Sequence, residues 1–146
     1  PTIAKNDTDH GVQWADYDQD GDLDLALAAN DPAGSHYLYR NDLPAAVAAR
    51  SIQVLVLDDK GHYTRAGSEV RVYRAGTKEL LGLRMVDTGS GYNAQNAKPV
   101  HVGLSSSVDI DVHVTVMTRG GRKTEVYSDV DWRGLAGKPL VVKIGN

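Results

Sequence analysis

From residue 51 onward the apolar positions recur at every second residue, the period of a strand with one buried face. Ile52, Val54 and Val56 form one such face, and Val70 and Val72 alternate with Arg71 and Tyr73. Val100, Val102 and Leu104 alternate with His101 and Gly103. The longest series is Val108, Ile110, Val112, Val114 and Val116, interleaved with Asp109, Asp111, His113, Thr115 and Met117. This pattern predicts a half-buried antiparallel strand. Turn chemistry separates the series at Asp58 to Gly61, Ala75 to Lys78 and Arg119 to Arg122, the last read as a hairpin turn. A further strand is expected over Glu79 to Asp87, and Leu140 to Ile144 closes the series. About seven or eight short strands with turns roughly every ten residues predict an all-β chain, an antiparallel sandwich or small barrel.

The first third of the chain reads differently. Residues 1 to 11 are polar and are expected to be a loop or frayed terminus. Leu23 to Leu27 and His36 to Tyr39 are apolar runs around the turn-forming stretch Asn30 to Gly34, which predicts a hairpin. Leu43 to Ala49 reads equally as a short helix or a linker. The expected division is a hairpin over 1–42, a connection over 43–50 and a β domain over 51–146.

Composition supports strands over helices: 17 Val, 8 Thr and 7 Tyr stand against 15 Gly and no Phe. The acids are 16 Asp and only 3 Glu, and Asp suits turns and hard-cation loops. Charge is divided, with net −7 in residues 1 to 42 and net +4 in the remaining 104. Neither part carries the basic stripe that nucleic acid requires. The absence of cysteine excludes disulfides, thiolate zinc sites and a cysteine nucleophile. No apolar run reaches the roughly 18 residues of a membrane span, so membrane insertion is not expected. No signal peptide is visible, and Pro1 is not a natural start, so the chain reads as a processed or excised piece.

The densest chemistry is Asp16, Asp18, Asp20, Gly21, Asp22 and Asp24. Carboxylates at loop positions 1, 3 and 5 converge, glycine at 6 permits reversal, position 7 presents a carbonyl and position 9 a further carboxylate. That donor set suits calcium, which takes about six to eight oxygens; zinc would call for His or Cys. An EF-hand would need Glu at position 12, where Leu27 stands instead. The competing reading is a solvated acidic turn.

This loop, with Trp14 before it and Tyr37 to Asn41 after it, resembles the FG-GAP/VCBS repeat of calcium-binding β-propellers. The remainder resembles the ASPIC/UnbV domain, through Ala66 to Val72, Gly89 to Asn96 and the spacing to His101 to Leu104. The resemblance implies a propeller-blade-like calcium hairpin appended to the β domain of a secreted, extracellular or periplasmic protein. It implies calcium held by the side chains of Asp16, Asp18, Asp20 and Asp24 and the carbonyl of Asp22. One repeat is present, where a propeller needs about four or more blades.

Tyr92, Asn93, Gln95, Asn96 and Trp132 are candidate ligand-binding residues, because an aromatic face stacks on a sugar ring while amides bond its hydroxyls. The competing reading makes the same aromatics core and the amides caps of their own loop. His101, Asp111 and His113 read as a solvated strand face, and Arg71, Arg74, Lys78 and Arg84 as solubilising charge. No catalytic constellation is apparent. The expected function is a non-catalytic, calcium-binding, monomeric appendage that binds a polysaccharide, glycan or surface partner; the alternative is a purely structural end of a propeller.

Overall fold

The computed structural model describes residues 9–29, 36–89, 91–92, 94–96, 98–135 and 137–145, and of 9, 10 and 29 the backbone alone. The expected turn over Asn30 to Gly34 lies outside the described residues. The chain is all-β, with one helical turn among the described residues. In chain order it runs β1 (Asp9–Ala15), β2 (Asp24–Ala29), β3 (His36–Tyr39), α1 (Ala45–Ala48), β4 (Ser51–Leu57) and β5 (Glu69–Arg74). It continues through β6 (Leu80–Met85), β7 (Val100–Gly103), β8 (Ile110–Thr118), β9 (Gly121–Val130) and β10 (Leu140–Lys143).

Two sheets, ordered β6-β5-β8-β9 and β10-β4-β7, make the sandwich. Their valine faces merge into one core containing Ile52, Val54 and Val56 from β4, Val70 and Val72 from β5, Val102 from β7, Val142 from β10 and the apolar face of β8. The alternation read from the sequence therefore places β4, β5, β7 and β8 in this core. Among the described residues no sheet closes into a barrel. The hairpin turn expected over Arg119 to Arg122 is the β8–β9 connection; the structure narrows it to the two residues Arg119 and Gly120, since Thr118 pairs Gly121. One pairing departs from the antiparallel expectation: β10 runs parallel to β4, Leu140 opposite Val54 and Lys143 opposite Leu57. A parallel pair needs a long connection, and residues 58–139, which carry β5 to β9, lie between these two strands.

A third sheet, β1-β2-β3, holds the acidic hairpin. The loop reading of residues 1 to 11 is corrected at its end, because β1 begins at Asp9 and pairs β2 with Trp14 opposite Leu25 and Ala15 opposite Asp24. The acidic segment therefore joins β1 to β2. Leu43 to Ala49 contains one short helix, entered from Pro44, whose fixed φ suits a helix start.

The hairpin docks on the sandwich through its acidic turn. The Gly21 carbonyl accepts bonds from Ser51 Oγ at 2.8 Å and His101 Nε2 at 2.9 Å. Gln53 Nε2 donates to Asp16 Oδ2 at 3.3 Å. Gly21 sits at φ 103°, where a Cβ would lie 2.7 Å from the Ala48 carbonyl oxygen. Only glycine satisfies both the backbone angle and that approach.

Candidate metal centre

The segment between β1 and β2 folds back on itself through its own carboxylates. Gly21 N–H donates to Asp16 Oδ2 at 3.2 Å and Asp22 N–H to Asp20 Oδ1 at 3.1 Å. Asp24 takes Tyr17 N–H on one oxygen at 3.1 Å and Asn41 N–H on the other at 2.8 Å. Asp22 Oδ2 accepts Leu43 N–H at 3.2 Å. These bonds draw β1, β2 and the segment after β3 around one point.

Asp16, Asp18 and Asp24 bring carboxylate oxygens within 4.8 Å of one another. Asp20 is outside that trio, its carboxylate turned to the Asp22 N–H. The Asp22 side chain is 3% exposed, and it lies near enough to Asp18, Asp20 and Asp24 to feel their charge. Within this turn, Asp16 Oδ1 and Asp22 Oδ1 are buried and meet no hydrogen-bond donor among the described residues. Burial pushes both carboxyls above the ordinary value of 3.8, and neighbouring aspartates add to the rise. Buried anionic oxygens without donors are costly unless a cation answers them. The donors are all oxygens and mostly anionic, which is the chemistry of a hard cation such as calcium.

The predicted ligand-binding residues scatter. Trp132 is corrected: it is 5% exposed, belongs to the sandwich core and gives its Nε1–H to the Val108 carbonyl at 2.9 Å. Its ring is spent on packing, with Arg133 over it at 4.5 Å. Tyr92 is 70% exposed and Gln95 is exposed, while Asn93 lies outside the described residues. Asn96 turns toward the hairpin, its Oδ1 accepting Trp14 N–H at 3.3 Å.

The solvated-face reading of Asp111 also fails. Its carboxylate accepts Gly76 N–H and Asp129 N–H, both at 2.9 Å, where Asp129 sits at φ 51° beside a register shift in the β8–β9 pair. Asp111 is thus the clamp of a bulge, a backbone role that alternation alone does not reveal. His113 leans on Tyr73, ring centres 4.7 Å apart. His101 bonds the acidic turn rather than solvent.

With the fold in view, the family model for ASPIC and UnbV matches residues 59–132, just over half of the chain. The chain belongs to the ASPIC/UnbV family. The match runs from the turn after β4 to the end of the β8–β9 pair, so the ASPIC/UnbV signature lies on the sandwich and the acidic turn lies outside it. Comparison with curated proteins and with solved structures finds no match.

Proposed function

We propose that this ASPIC/UnbV chain is a non-catalytic, calcium-binding extracellular module that holds a carbohydrate or surface partner as part of a larger secreted protein. One observation carries the reading: Asp16, Asp18 and Asp24 converge while Asp16 Oδ1 and Asp22 Oδ1 are buried without donors. Asp16, Asp18 and Asp24 hold the ion by their carboxylates. Asp20 and the Asp22 carbonyl belong to the set that the FG-GAP/VCBS resemblance implies. A bound cation supplies the positive charge that this turn lacks. Extracellular modules bind calcium at about 10⁻⁴ to 10⁻³ M, the range available outside the cell. Because the same turn grips β4 and β7 through Gly21, occupancy fixes the hairpin against the sandwich.

A second reading, a structural propeller fragment, is favoured by the three-stranded β1-β2-β3 sheet, one strand short of a four-stranded blade. Calorimetry tests the calcium reading. At a hundredfold excess over Kd calcium adds about 2.7 kcal/mol, raising Tm by roughly 5 to 10 °C over the chelated protein. Magnesium does less. An unchanged Tm refutes the calcium site, and a glycan array without a single saturable hit leaves the structural reading in place of the binding one.

A further inference from the structure

Where the hairpin meets the sandwich, Trp14 and Leu23 face Arg84, Met85, Asp87 and Lys98 across a groove of about 350 Å³. Ligand pockets run from about 300 to 1,000 Å³, so the space suits a small, sugar-sized group. We propose that this groove binds an acidic sugar, a uronic-acid residue of a polysaccharide. The inference deepens the carbohydrate reading above and rests on it.

Three features select that chemistry. Trp14 is 47% exposed, and an indole face offers a sugar ring an apolar C–H platform. Its backbone is held in place, since Asn96 Oδ1 accepts the Trp14 N–H across 82 residues of sequence. Arg84 and Lys98 bring two cations to the same groove, and among the described residues neither enters an ion pair. Most other arginines of the sandwich are engaged: Arg71 with Glu69, Arg74 with Glu79, Arg133 with Asp109. Arg84 uses one guanidinium nitrogen on the Leu83 carbonyl at 2.9 Å, and its remaining N–H groups can grip a carboxylate. Lys98 is poised over the Tyr63 ring, 4.6 Å from its centre, which holds its ammonium without neutralising it. Asp87 supplies the complementary acceptor, positioned 3.5 Å from Asn96 Nδ2. An acceptor carboxylate suits the hydroxyls of a sugar ring, while the two cations answer its acidic group. A platform, two cations and an acceptor together describe a hydroxylated ring bearing a carboxylate.

The groove also depends on the acidic turn. Trp14 stands two residues before Asp16 on β1, so ordering the turn orders the platform.

The test is calorimetric titration of the full chain, in calcium, with short oligomers of galacturonate, glucuronate and guluronate. A neutral oligosaccharide of equal length and an oligoglutamate of equal charge serve as the other arms. The expected result is saturable binding to at least one uronate, weaker at higher salt, with the neutral sugar and the oligoglutamate each at least tenfold weaker. Arg84→Met and Trp14→Ala each weaken that binding about tenfold or more. Should Trp14→Ala fail to fold, Arg84→Met and Lys98→Met carry the test, because among the described residues neither side chain forms an ion pair with the acidic turn, and each variant is expected to retain calcium binding. Equal binding of the neutral sugar overturns the acidic class while the carbohydrate reading stands. Equal binding of oligoglutamate overturns the sugar itself. Binding to none of the three uronates, or binding unaffected by Arg84→Met and Lys98→Met, overturns the groove proposal, and calcium titration of the same sample then reports separately on the metal site.

Discussion

Asp58 and Asp111 in the sandwich behave oppositely to Asp16 and Asp22 in the hairpin turn, although all four shape backbone turns or bulges. Asp58 collects Lys60 N–H, His62 N–H and the Thr64 hydroxyl at 3.0, 2.7 and 3.0 Å. Asp111 collects two backbone N–H groups. These donors hold both carboxyls below the ordinary value of 3.8. Asp16 and Asp22 also accept backbone bonds, yet burial outweighs them and each keeps a buried oxygen without a donor. A carboxylate that the chain itself satisfies is a structural strut. One that the chain buries and leaves short of positive charge is what the proposed cation would answer.

The contrast is sharpened most by Asp111→Ala. Removing the clamp leaves the Gly76 and Asp129 N–H groups without their acceptor, a loss of about 3 kcal/mol for two charge-assisted bonds. Chemical denaturation should show the same loss with calcium and with chelator, because the clamp is remote from the turn. A calcium-dependent loss would break the distinction.

Asp18→Asn should behave in the reverse manner. Asp18 is exposed, and its charge repels its neighbours. In chelator the variant should match or slightly exceed the parent in stability. In saturating calcium it should forfeit most of the roughly 2.7 kcal/mol that the ion contributes. Equal loss in both conditions would make Asp18 an ordinary structural residue.

The smallest effect is the pH dependence of the metal-free protein. For Asp16 and Asp22 the folded pKa is raised, so the folded state takes up protons more readily than the unfolded chain. Their contribution is fully present below 3.8 and is lost as pH rises through the raised value, so acidification from neutrality stabilises the turn. For Asp58 and Asp111 the folded pKa is lowered, so their contribution is present above 3.8 and disappears as pH falls through the lowered value. Melting in chelator should therefore rise modestly as pH falls from 7 through the raised values, then decline below 3.8. Asp22→Asn should flatten the first phase and Asp111→Asn the second.

Much of this was legible in advance. The β4, β5, β7 and β8 faces follow from alternation, and the acidic turn from its spacing and Gly21. The β10–β4 parallel pair was not, because a lone apolar run says nothing about the direction of its neighbour. Nor was β1, whose first residues are polar. Trp132 and Tyr92 read alike in sequence, both aromatic and near glycine, yet one is core and the other surface. What separates them is the packing of the region after β9 onto the sandwich, a tertiary fact. The groove was equally invisible, since Trp14, Arg84 and Lys98 meet only when the hairpin docks.

The central claim is that the acidic turn is completed by a cation. Isothermal titration of calcium into the full chain, beside Asp16→Asn and Asp24→Asn, tests it most directly. The account predicts one saturable site in the parent, weakened at least tenfold in each variant, while both variants keep the sandwich's strand spectrum by circular dichroism. Absence of saturable heat in the parent, or an unchanged isotherm in both variants, would contradict it.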